Sequence, residues 1–331
     1  MSIGVDEAAL AQLRPELVRY GYRMLGDGAA AEDAAQEVLL SAWQARDRFD
    51  PSRGSLRTWA FTIATRHCLD RLKSASRREL ATDLVGRAEA DGPFDSVLPA
   101  GRWVTPLPDA VDPATAAEQR ESIRMAFVAA LQWLPPRQRA VLVLRDVYAL
   151  SAAETAVVLG TTEHAVHSTL QRARRTVTAP TGDRAPQPVD PRLLTDFVSA
   201  FERHDVDALA RLLRDDVVSS MPPLAFWLSG IDDVTGVFAA GDGCRGHRLV
   251  PTGANGGPAF GQYAPVVTST GATTYRPFAI LLLEVDGTAV STMTTCLDQR
   301  DRFPAFGLPE RLDPSDVGQV SSARAKASPT S

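Results

Sequence analysis

The chain has 331 residues, 44% hydrophobic and 23% charged, with a net charge of −5. That length calls for two or three domains, and the apolar fraction is enough to build proper cores. The acidic balance excludes a globally basic nucleic-acid coat, so any contact with DNA must be local. Cys68, Cys244 and Cys296 are odd in number and form no C-x-x-C pair, so neither a zinc site nor a disulfide framework is supported. Buried thiols in a reducing cytoplasm are expected. The N-terminus shows no signal-peptide pattern, and no apolar run approaches the ~18 residues of a membrane span.

Residues 1 to 80 read as helices. In AAAEDAAQEVLLSAWQAR, Ala34, Ala35, Val38, Leu39 and Ala42 recur at helical steps beneath a polar surface of Glu32, Asp33, Gln36 and Glu37. Asp50 to Gly54 is a turn cluster. A further helix starts at Ser55, with Leu56, Trp59, Ala60, Ile63 and Ala64 predicted on its packing side. It leads into a basic group of Arg66, Arg71, Lys73, Arg77 and Arg78.

Residues 81 to 113 read as a linker, because the Gly and Pro positions from Gly92 to Pro113 oppose a long helix. Trp103, between the glycine and proline positions, is costly to leave in water and is expected to dock. Helices are predicted to resume near Ala114, with Ile123, Phe127, Ala130, Leu131 and Leu134 as one stripe ended by Pro135-Pro136.

The stretch Ser151–Val177 reads as two short helices around a tight turn. Ser151 and Glu154 fit a capping box. Ala152, Ala153, Ala156, Val157 and Leu159 are the predicted packing side of the first helix. Gly160 permits the turn, and Thr161 or Thr162 caps the second helix. Ala165, Val166, Leu170 and Ala173 face inward there. Glu163, His164, His167, Ser168, Gln171, Arg172, Arg174 and Arg175 remain outside. A polar helix after a short turn suits the DNA major groove.

Residues 179 to 189 form a proline-rich linker. From residue 190 the character changes. Leu193, Leu194, Phe197 and Phe201 start a helix, a short helical segment follows from Val206, and strand-like runs take over. Asp286-Gly287 between Phe278–Val285 and Thr288–Thr295 is a hairpin signal. Helices followed by a sheet indicate an α+β domain. The tail from 313 to 331 is expected to be disordered.

LGDGAAAEDAAQEVLLSAWQARDRFDP with GSLRTWAFTIATRHCLDRLK resembles the promoter-melting module of extracytoplasmic-function sigma factors of the sigma-70 superfamily. LPPRQRAVLVLRDVYALSAAETAVVLGTTEHAVHSTLQRARRTV resembles their helix-turn-helix module. WLSGIDDV, GANGGPAFGQY and FPAFGLPERL make residues 190 to 312 similar to SnoaL-like domains. The resemblance implies a multidomain chain: two all-α sigma modules at 1–80 and 114–178, followed by an α+β SnoaL-like cone domain. A fused extension of this kind, with a Trp-Pro-Pro string in the central linker, resembles a subgroup of the family.

The implied function is that of an alternative sigma factor, which binds bacterial RNA polymerase core and promoter DNA, with no cofactor, no metal and no membrane partner. Asp33, Gln36 and Glu37 would grip the polymerase clamp. Arg53, Arg66, Arg71, Lys73 and Arg77 would serve the −10 element. Thr162, His164, His167, Ser168 and Gln171 would face the −35 element, with Arg172, Arg174 and Arg175 on phosphates. The chain departs from the family pattern at Arg66, where Asn is usual, and at His167 and Thr169, near which Lys and Arg are common, so no promoter sequence is assigned.

Trp103, Pro106 and Pro108 form a candidate regulatory linker. The C-terminal domain would modulate the sigma modules in cis, with an unidentified small-molecule ligand as one means. Asp205, Trp227, His247, Arg276 and Asp298 are the candidate pocket residues, although nothing in the linear sequence makes any two of them converge. Two alternatives stand beside this reading: a helix-turn-helix regulator acting without polymerase, and a SnoaL-like cyclase or isomerase with a DNA-binding appendage.

Overall fold

The structure is a computed structural model describing residues 5–73, 77–89, 96–99, 101–109, 123–177, 189–269 and 271–313. It divides into two compact units. One comprises the described residues of Met1–Leu80, Gly101–Leu107 and Ala114–Asp183; the other comprises those of Ala81–Ala100, Pro108–Pro113 and Arg184–Ser331.

The first unit is helical. Helix α1 (Glu7–Leu25) starts where the Asp6 carboxylate accepts the Ala9 amide at 2.6 Å, and ends at Gly26 in the left-handed region. Helix α2 (Gly28–Gln44) is capped by Asp27 and buries Ala31, Ala34, Ala35, Val38 and Ala42. Ser55 caps α3 (Leu56–Leu72).

The buried side of α3 differs from the sequence expectation. Thr58, Ala60, Phe61, Ala64, Thr65 and Cys68 point inward, while Leu56, Trp59 and Ile63 are only half-buried. Two threonines can enter this core because their hydroxyls are satisfied there. Thr65 shares a 2.7 Å hydrogen bond with Tyr20, and Thr58 shares one of 2.9 Å with Ser55. Trp59 packs instead on Phe49, with ring centroids 5.4 Å apart.

A one-turn helix α4 (Ala81–Leu84) belongs to the other unit. The first unit continues with α5 (Met125–Gln132) and α6 (Pro136–Leu142), whose end widens into a π turn over Val143–Val147. The expected helix start near Ala114 lies outside the described residues. Then come α7 (Ala152–Leu159) and α8 (Glu163–Thr176). The capping box of Ser151 and Glu154 is formed, and Gly160 turns at φ 59°. Here too the stripe is shifted: Thr155, Ala156 and Val158 are buried in α7, while Ala153 and Val157 face outward.

The second unit is α+β. Helix α9 (Pro191–Arg203) and the short α10 (Val206–Ala210) precede strands β1 (Leu213–Ser220) and β2 (Trp227–Ser229). Helix α11 (Ile231–Ala240) is followed by β3 (Arg248–Ala254), β4 (Gly257–Val267), β5 (Thr273–Asp286) and β6 (Ala289–Cys296). The six strands run in the order β2-β1-β6-β5-β4-β3. The β1–β6 pair is parallel and the other four neighbouring pairs are antiparallel. The Asp-Gly hairpin is present, with Asp286 opposite Ala289 and Gly287 at φ 68°. Phe197 and Phe201 of α9 pack with Phe226, Phe260, Leu281 and Leu283 in one apolar cluster. This is the expected α+β class. The linker at 179–189 and the tail at 313–331 lie almost entirely outside the described residues.

Residues 81 to 113, read from sequence as a linker, are divided between the units. Within the second, Ala88 donates its amide to the Trp227 carbonyl at 2.9 Å, Ala225 to Ser96 at 2.7 Å, and Gly256 to the Asp109 carboxylate at 2.8 Å. Within the first, Trp103 is 7% exposed and Glu79 and Trp103 form a parallel bridge.

Candidate functional site

The candidate surfaces rise from three helices and one strap of the first unit. On α2, Asp33, Gln36 and Glu37 are all exposed. The same face carries Leu40, 56% exposed, and Trp43, 39% exposed, with the Arg46 guanidinium 4.5 Å from the Trp43 ring. Sequence reasoning missed these two apolar residues, although their three- and four-residue steps from Asp33, Gln36 and Glu37 place them on that face. The resulting strip pairs carboxylates with exposed apolar groups, a composition suited to a protein partner.

The basic group behind α3 is largely engaged in ion pairs. Arg71 donates to Glu37 at 2.9 Å, Lys73 to Asp70 at 2.6 Å, and Arg77 to Glu79 at 2.8 Å while its guanidinium lies 3.7 Å from the Trp133 ring centre. Arg53 and Arg66 stand exposed. The solvent-facing pairs at Arg71 and Lys73 contribute little to stability. Glu37 also lies 3.5 Å from His67, so the polymerase and −10 candidates meet at one carboxylate.

In the helix-turn-helix, Thr162 accepts the Ala165 amide at 3.2 Å and so aims α8. Val166, Leu170 and Ala173 are buried, which turns His164, His167, Ser168, Gln171, Arg172, Arg174 and Arg175 to solvent on the outer face. The Arg174 guanidinium grips Asp146 at 2.9 and 2.6 Å, fixing α8 against the turn that ends α6. This pairing raises the Arg174 pKa, through its hydrogen bonds to Asp146 first. Arg172 donates to Thr169 at 3.2 Å.

The strap is residues 101 to 107. Val104 donates to the Glu79 carbonyl at 3.0 Å and Thr105 to that of Gly26 at 3.1 Å. The Thr105 hydroxyl accepts the Gly28 amide at 3.0 Å, and the Thr105 carbonyl accepts the Tyr22 hydroxyl at 2.9 Å. A Cβ on Gly28 would lie 2.1 Å from the Pro106 oxygen, so only glycine fits beneath the strap. Pro108, by contrast, bridges Ala254 in the second unit.

Four of the five pocket candidates of the second unit have a hydrogen-bond partner within it. Asp205 caps α10 by accepting the Ala208 amide at 2.9 Å. The Trp227 indole donates to the Val85 carbonyl at 2.9 Å. His247 is buried, meets Gln262 at 2.9 Å and packs edge-on to Phe278, and burial pushes its pKa down to about 4. Arg276 is exposed on β5, and Asp298 accepts from Gln299 at 3.0 Å. Aromatic and aliphatic side chains occupy the core between α9 and the sheet.

Residues 10–78 match Sigma-70 region 2, and residues 124–177 match Sigma-70, region 4. Over 318 residues the chain is 40% identical to the ECF RNA polymerase sigma factor SigG of Mycobacterium tuberculosis H37Rv, covering 90% of this chain and 82% of that one. The chain belongs to the ECF RNA polymerase sigma factors. SigJ of the same organism is 36% identical over 215 residues, covering 62% of this sigma factor and 61% of the relative. The crystal structure of M. tuberculosis SigJ superimposes with a TM-score of 0.54 at 27% identity, covering 92% of this sigma factor and all of that chain (100%). The order of modules along this sigma factor is therefore the one its sequence suggested. Among the described residues, no helix is long and apolar enough to cross a membrane.

Proposed function

We propose that this sigma factor works in the cytoplasm without catalytic activity of its own, gripping core polymerase through α2 and reading promoter DNA through α3 and α8. The observation that carries this reading is the sorting of side chains on α8. Its apolar residues are buried and its histidines, glutamine and arginines all face outward. His164, His167, Ser168 and Gln171 are the base-edge readers, while Arg172 and Arg175 hold phosphates. On α2, Leu40 and Trp43 join Asp33, Gln36 and Glu37 as the polymerase contact. Arg53, Arg66, Arg71, Lys73 and Arg77 attract the −10 strand, where single-stranded DNA needs cations beside it.

The second unit is a regulator in cis. It holds Pro108 and Asp109, which continue directly from the strap of Trp103 and Pro106. A small molecule would control this grip only through a different affinity for the held and released strap. The local roles of Asp205, which caps α10, and of Trp227, whose indole donates to the Val85 carbonyl, favour a regulatory domain over a cyclase or isomerase, since a general base needs a second group aimed at the same substrate.

Binding of core polymerase by the full chain tests the grip. Replacing Asp33, Glu37 and Leu40 together by alanine is expected to weaken it at least tenfold, and unchanged affinity would remove α2 from the interface. Comparing initiation by the full chain with a version ending at Val189 gives the sign of the regulation. Equal rates would rule it out.

A further inference from the structure

The outer face of α8 is divided by charge type. Its fixed cations, Arg172, Arg174 and Arg175, all lie in the C-terminal half, and Arg174 is already paired with Asp146. The N-terminal half, the part of a recognition helix that meets base edges, carries neither Lys nor Arg. It presents Glu163, His164, His167, Ser168 and Gln171, all exposed. His164 and His167 are three residues apart and share one face, which Gln171 continues four residues on. The Thr162 cap fixes this end of the helix, and Val166 and Leu170 anchor its other side. Among the described residues, neither imidazole has a hydrogen-bond or ion-pair partner.

The charged groups of the elements packed on α8 are engaged elsewhere. Asp146 holds Arg174, Glu154 closes the capping box with Ser151, Arg145 donates to the Leu150 carbonyl and Arg139 to that of Met24, while Arg137 lines the cleft beside α3. On α8 itself, Glu163 precedes His164 by one residue and His167 by four, and Arg172 donates to Thr169. The positive end of the helix opposes a further cation at His164 in the free chain. A duplex reverses that sign, because its phosphates favour the charged form of a nearby imidazole. Histidine is the side chain that changes charge between about pH 5 and 8. A neutral imidazole offers one donor and one acceptor, whereas an imidazolium offers two donors and no acceptor. In the major groove, guanine presents only the acceptors N7 and O6, while adenine adds an amino donor.

We propose that His164 and His167 take up protons when α8 enters −35 DNA and, as imidazoliums, donate to guanine edges, so that both the affinity and the base preference of the −35 contact depend on pH. The protons come from solvent and return to it when the DNA leaves. By linkage, DNA that tightens the hold on a proton is itself held more tightly as protons become available. The inference rests on α8 as the −35 reader.

The test uses holoenzyme assembled from core polymerase and the full chain, with a pool of duplex promoters randomised across the −35 element. Affinity is measured, and the bound DNA sequenced, at about pH 6.5 and about pH 8 at one salt concentration. The wild-type chain is expected to bind about five- to tenfold more tightly at the lower pH and to enrich guanine there at one or two −35 positions. His164→Gln combined with His167→Gln keeps polar groups without a titrating charge, and is expected to lose both the pH difference and the guanine enrichment. His167→Lys supplies a fixed cation and is expected to narrow the difference by tightening binding at the higher pH. A pH difference in the double variant equal to that of the wild type would overturn the proposal, because the titrating group would then lie elsewhere. A gain at the lower pH that is equal on every sequence would also overturn it, by placing the imidazoliums on phosphates instead of bases. Sequence-specific binding that ignores pH would remove the proposal alone. A holoenzyme that forms yet shows no −35 preference at either pH would remove α8 as the reader, and the proposal with it.

Discussion

Gly28 illustrates how a single residue couples the strap to α2. A Cβ there would stand 2.1 Å from the Pro106 oxygen, so Gly28→Ala must push the strap away or break the capped start of the helix. A loss of about 1–3 kcal/mol is expected, visible as a lower midpoint in denaturant, together with a red shift of tryptophan emission as Trp103 meets water. An unshifted midpoint and spectrum would show that the strap is not held there. His247 sets a pH dependence on the second unit. Its folded pKa, pushed down by burial to about 4, lies below the usual 6.5, so the unfolded chain takes the proton first. Stability from this group is complete above about pH 6.5 and is lost as pH falls toward 4, by at most about 3 kcal/mol. His247→Gln is expected to flatten that part of the profile. At this scale the sequence was only partly legible. Hydrophobicity alone put Trp59 inside α3 and left Thr65 out of the packing stripe, whereas the 2.7 Å bond from Thr65 to Tyr20 makes the threonine the better core residue. That bond joins residues 45 positions apart and leaves no local trace.

The elements themselves were easier to read, because caps and turns are local. The Ser151–Glu154 capping box, the glycine turn at Gly160 and the Asp286-Gly287 hairpin all carry their geometry in two to four neighbouring residues. The outward set on α8 followed from the spacing of Val166, Leu170 and Ala173. The face of α7 did not, since Thr155 is buried while Val157 is 57% exposed and lines the cleft shared with α3. For α8 the two classes of contact separate experimentally. Gln171→Ala is expected to cost about 1–3 kcal/mol on the preferred −35 sequence and to relax specificity at one position. Arg175→Ala is expected to weaken all sequences alike and lower the salt slope by about 1. Identical profiles for the two variants across a −35 library would contradict this division. Asp146→Asn frees Arg174 from its pair, so it is expected to loosen the aim of α8 without removing a DNA contact.

For the molecule as a whole, module order and fold class were legible because each module carries its own motif. How the modules meet was not, since Arg23, Tyr148 and Gln132 show their partnership only after folding. Which of the C-terminal candidates could converge was illegible for the same reason: strand register decides it, and register is a property of the assembled sheet. The chain is acidic overall yet presents cations on α3 and α8, so its DNA affinity should be local, salt-dependent and weak until polymerase organises it. Run-off transcription from a promoter library, with purified bacterial core polymerase and the full chain, tests the central claim most directly. The account predicts initiation at a defined subset of promoters that needs both this chain and core. DNA binding without core affinity, and no initiation from any promoter, would contradict it.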